Sequence, residues 1–255
     1  MQQKFLKAFG VEIQSDPPGA SLETIDFDEL QNLILQHRVC VMRGFQETKE
    51  EGVLAFCRQF GKIRQWEYGE VIDLKERENS QTHLFTNRAV RFHWDGAFAS
   101  VTAQYIFFQC LEAQKVGTGG ETIFCDASKI LQNVSEEKKN LWKNVLLTYK
   151  PGTVEHEGFS SPMIIQHPVR KEPVLRFAEP FEDLNPVRLK VNGFTEEKTR
   201  EMVEEMRSFL YDPACWYVHS WKRGDFLIAD NNALLHARKS FAPGTPRHLR
   251  KINIL

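Results

Sequence analysis

Three side chains in this sequence have the types and the spacing of a metal site. His93 and Asp95 form the one His-x-Asp/Glu triplet of the chain, and residues i and i+2 of a β-strand project from the same face. His236, just after a predicted strand, would add a second imidazole, and two imidazoles with one carboxylate are the ligand set of a non-haem Fe(II) centre. The triplet alone is weak evidence, because eight histidines and 34 acidic residues can produce one by chance.

A second pattern lies after His236, in the last residues of the sequence. Arg247 precedes a predicted strand over His248–Ile254, and alternation along it puts Arg247, Leu249 and Lys251 on one side. If that side lines a cavity, its cations need an anionic partner, because an unpaired buried charge is costly. A dicarboxylate co-substrate would supply one. The alternative is an exposed edge strand whose basic residues only favour solubility.

The glycine-rich segment Gly117-Thr118-Gly119-Gly120 could suggest a phosphate-binding loop. It lacks the Gly-Lys-Ser/Thr ending of a P-loop and the G-x-G-x-x-G pattern of a dinucleotide site. We therefore interpret it as a hairpin turn that leads into a strand near Glu121.

The elements that must position these residues are mostly short strands. Four helices are predicted: one after an Asp26 cap and ending near His37, then Glu50 to Phe60, Ser135 to about Leu146, and Thr195 to Leu210. The predicted strands include Val39–Met42, Thr102–Cys110, Glu121–Phe124, Met163–Gln166, Pro173–Phe177, Gly224–Ala229 and His248–Ile254. Many short strands with few helices predict a mainly β fold with peripheral helices, a sandwich or jelly roll, rather than βαβ units.

Composition limits the classes of function. The 255 residues are 42 % hydrophobic and 26 % charged with a net charge of −1, which suits a soluble globular protein and favours neither a nucleic-acid nor a membrane partner. The five cysteines form no C-x-x-C pair, and the N-terminus lacks the apolar core of a signal peptide. We expect one domain over residues 1–255, in the reducing cytoplasm, with a small-molecule substrate; a homo-oligomer stays open.

Taken together, these patterns resemble the taurine dioxygenase (TauD/TfdA-type) family of Fe(II)- and 2-oxoglutarate-dependent oxygenases. The resemblance spans nearly the full length, in VCVMRGF, FGKI, FHWDGAF, QCLEAQKVGTGGETIFCD and the C-terminal His-x10-Arg. It implies a double-stranded β-helix (jelly-roll) fold in which His93, Asp95 and His236 hold the iron and carry catalysis. It also implies that Thr122 and Arg247 bind the distal carboxylate of 2-oxoglutarate, with O2 as co-substrate.

A narrower resemblance, to the isocyanide-associated (PvcB-like) dioxygenases of that family, lies in WEYGEVIDL, LFTNRAVRFHWDGAF, LRFAEPFEDLNP and the segment from LYDPACW to the last residue. It implies an isonitrile derivative of tyrosine or tryptophan as substrate. Tyr68, Asn87, Arg91 and Lys251 lie in segments that could reach it, although core packing or a covering loop would also explain them. Relatives usually carry arginine where this chain has Lys251, and a lysine lacks the bidentate fork of arginine.

The product and the class of function have alternatives. Hydrogen removal from the benzylic β-carbon could end in loss of CO2, giving a vinyl isonitrile, or in loss of the α-hydrogen, giving an unsaturated isocyano acid. Lys251 would hold the substrate carboxylate less firmly than an arginine would, and this favours the prediction that the carboxylate is lost as CO2. An intact Asp95 favours hydroxylation or desaturation, because the halogenating relatives have a small residue there. The competing hypotheses are a hydroxylase of a small sulfonate or aryloxy acid, and a non-catalytic jelly-roll binding module or a cupin-type isomerase with the same metal site.

Overall fold

The computed structural model describes residues 2–152, 158–184 and 186–255. Five α-helices, α1 to α5, lie in these ranges: Phe27–His37, Glu50–Arg58, Ala127–Gln132, Glu136–Trp142 and Glu196–Leu210. The predicted start of α1 is confirmed, because the Asp26 carboxylate accepts a hydrogen bond from the Glu29 backbone N–H at 2.8 Å. Such a cap stabilises a helix by about 1 kcal/mol.

The helix predicted from Ser135 to about Leu146 is too long. Ser135 does cap α4, but the helix ends at Trp142, and Leu146 begins a strand. Leu147 and Tyr149 are fully buried and alternate with more exposed residues. Alternation with a period of two residues is typical of a β-strand, and this part of the chain is a strand rather than a helix. The sequence prediction also missed α3.

Sixteen strands lie in the described ranges, β1 to β16: Gln2–Phe5, Val11–Gln14, Val39–Arg43, Val71–Leu74, Val90–His93, Tyr105–Glu112, Thr122–Asp126, Leu146–Pro151, Phe159–Pro162, Ile164–Gln166, Pro173–Leu175, Val187–Val191, Trp216–His219, Phe226–Asp230, Leu234–Arg238 and His248–Ile254. The last of them, β16, has the predicted bounds. Short strands such as β2, β4 and β13 were not among those predicted.

Two sheets face one another and form the jelly roll. The larger has the order β1-β2-β3-β14-β6-β16-β4, and the smaller has the order β13-β7-β15-β5. Phe108, Leu227 and Leu249 of the larger sheet share one buried cluster with Phe124 and Leu234 of the smaller. The predicted mainly β jelly roll with peripheral helices is confirmed.

Helices and small sheets cover the outer faces. Leu30 and Ile34 of α1 and Phe56 of α2 pack on Phe107 and Ile228 of the larger sheet. The outer face of the smaller sheet is covered by α3 to α5, by a three-stranded sheet of order β12-β8-β9 and by the pair β10-β11. No helix in the described ranges is both long and apolar enough to cross a lipid bilayer.

The glycine-rich segment is a turn between sheets, not the predicted hairpin. It connects β6 of the larger sheet to β7 of the smaller, and these two strands do not pair with each other. The strand prediction beyond it was right, since β7 begins at Thr122.

Candidate active site

His93, Asp95 and His236 come together as a group that could hold a metal ion. One donor atom from each residue lies within 4.8 Å of the others, and no second group of three such residues was found in the described ranges. The Asp95 Oδ1 atom lies 3.7 Å from Nε2 of His93 and 3.7 Å from Nε2 of His236. The three donors therefore converge on one point.

Pairing between β5 and β15 produces this convergence. His93 and His236 are directly opposite each other across the two strands, with ring centroids 4.2 Å apart. Two details of the sequence prediction were wrong: His236 lies inside β15 rather than after a strand, and Asp95 lies two residues beyond the end of β5. Gly96 makes the turn after Asp95 with a φ of +110°, where a Cβ would lie only 2.7 Å from the Cα of Thr102.

The protonation states suit metal binding. Burial alone would raise the pKa of Asp95, but the Lys251 ammonium and the two imidazoles hold it well below its usual range. Burial and the neighbouring His93 lower the pKa of His236 well below its usual value. An ionised carboxylate and a neutral imidazole are the forms that bind metals.

The residues present fit Fe(II). Two imidazole nitrogens and one carboxylate oxygen on a single face are the donor set of the non-haem iron oxygenases, and such a face leaves other coordination positions open. The Nδ1 atom of His93 lies 2.9 Å from the carbonyl oxygen of Arg91, so its N–H can donate there and leave Nε2 for the metal.

Thr122 begins β7 of the smaller sheet, Arg247 directly precedes β16 of the larger sheet, and both are buried. The Nε–H of Arg247 donates to the Gly120 carbonyl at 3.0 Å, and no carboxylate in the described ranges lies within ion-pair distance of this guanidinium. Burial lowers the pKa of Arg247 to about 10, so the side chain stays charged at neutral pH. Such a cation fits an anionic ligand.

Gly120 explains why the turn before β7 is rich in glycine. Its φ is +71°, and a Cβ there would lie 3.1 Å from Cδ of Arg247 and 1.9 Å from Nε2 of Gln114. The backbone can approach Arg247 this closely only without a side chain. The hydroxyl oxygen of Thr122, two residues on, accepts a hydrogen bond from Nε1 of Trp221 at 3.0 Å.

A cavity of about 660 Å³ reaches His93 and Asp95. Its volume is that of a site for a drug-sized molecule. His236, Thr122 and Arg247 do not line it. Its aromatic walls are Trp66, Tyr68, Trp94, Phe98 and Phe181.

Three of the four residues expected to bind substrate line this cavity: Tyr68, Arg91 and Lys251. Asn87 does not, and its backbone carbonyl instead accepts a hydrogen bond from the Phe241 N–H. The ammonium of Lys251 lies 2.6 Å from Oδ2 of Asp95. Arg91 donates to the Pro180 carbonyl and has no carboxylate partner in the described ranges.

Several residues around the site were missed by the sequence analysis. Asn231 and Asn253 hydrogen-bond to Asp95, and Arg238 donates to four backbone carbonyls of the segment 83–88. Of these residues, only Asn253 had a signal in the sequence, because the alternation that places Arg247 and Lys251 on one side of the strand also places Asn253 there. Two further histidines, His219 and His248, hydrogen-bond to Tyr217 and Asp73 respectively.

Known proteins resemble this chain in sequence and in fold. The family described as "Taurine catabolism dioxygenase TauD, TfdA family" matches residues 2–253. A 3-((Z)-2-isocyanoethenyl)-1H-indole synthase from Fischerella ambigua is 38 % identical over 99 % of this chain and 94 % of its own length. A tyrosine isonitrile desaturase from Pseudomonas aeruginosa is 32 % identical over 96 % of this chain and 87 % of its own.

Solved structures agree with these matches. PvcB, described as an Fe, alpha-ketoglutarate dependent oxygenase from an isonitrile synthetic pathway, superposes with a TM-score of 0.79 and 29 % identity over 99 % of this chain and 90 % of its own. A taurine dioxygenase from Burkholderia xenovorans, 19 % identical, shares the fold with a TM-score of 0.76 over 99 % of this chain and 90 % of its own. The chain belongs to the TauD/TfdA family of dioxygenases.

Proposed function

We propose that this protein is an Fe(II)/2-oxoglutarate-dependent dioxygenase that desaturates an isonitrile derivative of tyrosine or tryptophan. The observation that carries the proposal is the convergence of His93, Asp95 and His236 at an aromatic-walled cavity. The isonitrile-acting relatives at 38 % and 32 % identity support the substrate class.

Each residue has a defined part in this proposal. His93 and His236 bind Fe(II) through Nε2, and Asp95 binds it through a carboxylate oxygen. Arg247 binds the distal carboxylate of 2-oxoglutarate with the Thr122 hydroxyl beside it. The iron, with 2-oxoglutarate and O2, supplies the oxidant for a C–H bond; the protein positions the substrate carbon and excludes water.

The cavity supports an aromatic amino-acid derivative. Trp66, Tyr68 and Phe181 offer ring faces and edges to an indole or phenol. Among the cations in its walls, Arg88 is paired with Asp183 at 2.8 Å and Lys251 with Asp95 at 2.6 Å. Arg91, without a carboxylate partner in the described ranges, is therefore the residue we assign to the substrate carboxylate.

For the product we propose a vinyl isonitrile formed with loss of CO2. The isocyanoethenyl group in the name of the 38 % identical relative carries no carboxylate. The unsaturated isocyano acid is the competing product, and the name of the 32 % identical relative describes a desaturase.

We also propose that residues 1–255 form one oxygenase domain, because each of the two large sheets contains strands from both halves of the chain. The five cysteines are all buried free thiols, which supports a reducing cytoplasmic compartment. The near-neutral net charge still favours a small-molecule substrate over nucleic acid or membrane.

Succinate release tests the proposed function. With Fe(II), 2-oxoglutarate and O2, the tyrosine- or tryptophan-derived isonitrile should stimulate succinate formation, whereas taurine and aryloxyacetate should not. Asp95→Ala and His236→Ala should lose both Fe(II) binding and stimulation, because no spare ligand lies beside them in the described ranges. Normal Fe(II) content and activity in either variant would refute the ligand assignment, and stimulation by taurine alone would favour the sulfonate hydroxylase.

A further inference from the structure

The two oxygens of the Asp95 carboxylate have different surroundings. Oδ2 is contacted by Nζ of Lys251 at 2.6 Å and accepts a hydrogen bond from Nδ2 of Asn253 at 2.6 Å. Oδ1 faces the imidazoles of His93 and His236. Both donors make charge-assisted hydrogen bonds to the carboxylate, and together they occupy the two lone pairs of Oδ2.

The side chain of Asn253 has only one orientation that satisfies its partners. Its Oδ1 accepts a hydrogen bond from Nε1 of Trp66 at 3.1 Å, so its amide N–H must point to Asp95. Asn253 is fully buried, and strand alternation places it on the same side of β16 as Lys251. The larger sheet therefore delivers two fixed donors to a carboxylate that belongs to the segment after β5.

A third residue fixes the backbone of Asp95. The side chain of Asn231 accepts from the Asp95 N–H at 2.9 Å and donates to the Asp95 carbonyl at 2.8 Å. It also donates to the Ala103 carbonyl at 2.7 Å, and Arg176 donates to the Asn231 carbonyl at 3.0 Å. Asp95 lies outside regular structure, so these bonds replace the ladder that would otherwise hold it.

We propose that Asn253 and Lys251 are positioning residues that reserve Oδ2 of Asp95, so that this carboxylate binds the metal through Oδ1 alone, while Asn231 holds its backbone. The proposal rests on the proposed function, because it takes Asp95 as an iron ligand. A carboxylate that bound through both oxygens would occupy a position that 2-oxoglutarate or O2 requires. Lys251 thus supports the iron ligand.

The test measures the dissociation constant of Fe(II) anaerobically, and then the ratio of succinate formed to isonitrile consumed. Asn253→Leu and Lys251→Met should each weaken Fe(II) binding about 10- to 100-fold, the usual cost of removing a residue that orients a metal ligand. Both variants should also form succinate in excess of isonitrile consumed. Lys251→Arg keeps the cation and should stay closer to the unsubstituted protein.

Gln109→Leu is the matched control. Gln109 is an equally buried amide in the same sheet, but its side chain donates to the Thr48 carbonyl and accepts from Arg250 rather than bonding to Asp95. Gln109→Leu should lower the free energy of unfolding without changing the dissociation constant of Fe(II). If Asn253→Leu does not fold, the Fe(II) affinity and the coupling of Lys251→Met test the proposal on their own.

The outcomes separate this inference from the proposed function. If the unsubstituted protein binds Fe(II) and His236→Ala does not, the metal site stands. Unchanged Fe(II) affinity and coupling in the Asn253 and Lys251 variants would then overturn the positioning roles only. If the unsubstituted protein binds no Fe(II), both proposals fail.

Discussion

Two of the three candidate metal ligands, His93 and Asp95, have a protein partner that leaves one donor atom for the metal. His93 is bonded through Nδ1 to the Arg91 carbonyl, and Asp95 is bonded through Oδ2 to Lys251 and Asn253. Such partners fix the ring or carboxylate before a metal arrives, which lowers the cost of ordering the ligands on binding.

Arg247→Leu should raise the 2-oxoglutarate requirement far more than the isonitrile requirement. A hydrogen bond between charged partners contributes about 1.5–3 kcal/mol, which corresponds to about ten- to a hundredfold in apparent affinity. The KM of each substrate is the measurement. Arg250→Leu, three residues on and bonded to Gln109, is the control and should change neither KM. If only the isonitrile KM rose, Arg247 would belong to the substrate cavity.

Arg91→Leu should instead raise the KM of the isonitrile, by about tenfold or more, because the substrate carboxylate loses a charged donor. Arg88→Leu is a matched control from the same cavity wall, since Arg88 is already paired with Asp183. Steady-state kinetics at saturating 2-oxoglutarate measures the effect. Equal KM values for Arg91→Leu and the unsubstituted protein would remove Arg91 from substrate binding.

His219 makes stability depend on pH. Burial lowers the pKa of His219 below the ordinary value of 6.5, although Asp225 opposes the shift. Below pH 6.5 the unfolded chain therefore binds a proton that the folded protein does not, and stability falls as the pH falls. The free energy of unfolding of the metal-free protein should decrease more steeply than that of His219→Gln, by at most about 1.4 kcal/mol per pH unit. Parallel curves from pH 7 to pH 5 would contradict this.

At the scale of elements, Arg238 joins β15 to the segment that leads into β5. Nη2 of its guanidinium lies 2.9, 2.7 and 2.6 Å from the carbonyl oxygens of His83, Thr86 and Arg88 and shares its two N–H groups among them. Arg238 follows His236 by two residues, at a β-bulge against β5. The strand that carries one candidate ligand therefore also anchors a wall of the cavity.

Arg238→Met should release this segment. We expect faster amide hydrogen exchange across residues 83–88, a loss of about 2–3 kcal/mol of stability from unsatisfied carbonyls, and a higher KM for the isonitrile. Hydrogen exchange with mass spectrometry measures the release. Lys239→Met, the adjacent and half-exposed cation, should leave exchange in this segment unchanged. Unaltered protection in Arg238→Met would show that other contacts hold the segment.

Local patterns predicted some elements and not others. The Asp26 cap and the alternation along β16 are signals within a few residues, and the predictions for α1 and β16 were right. The predicted boundary between α4 and β8 was wrong. Leu147 and Tyr149 are buried in one cluster with residues of α5, which is distant in the sequence, and this burial determines where the strand begins. Asn231 and Asn253 could not be assigned to Asp95 from the sequence, because they lie 136 and 158 residues from it.

At the scale of the whole molecule, the two sheets must pack correctly for the site to exist. The smaller sheet carries His93 and His236, whereas the larger carries Lys251 and Asn253. Spacing within the chain could indicate the three ligands and Arg247, because each belongs to a short recognisable pattern. The cavity walls could not be derived from it, since they come from segments as distant as Trp66 and Phe181.

The most direct test uses tyrosine- and tryptophan-derived isonitriles deuterated at both β-positions. The metal-free protein is loaded anaerobically with Fe(II), 2-oxoglutarate and one isonitrile, O2 is added, and the products are analysed by mass spectrometry. We expect loss of one deuterium and of CO2, no added oxygen, and one succinate for each product molecule. Retention of both deuteriums, or a product that gains an oxygen atom, would contradict it.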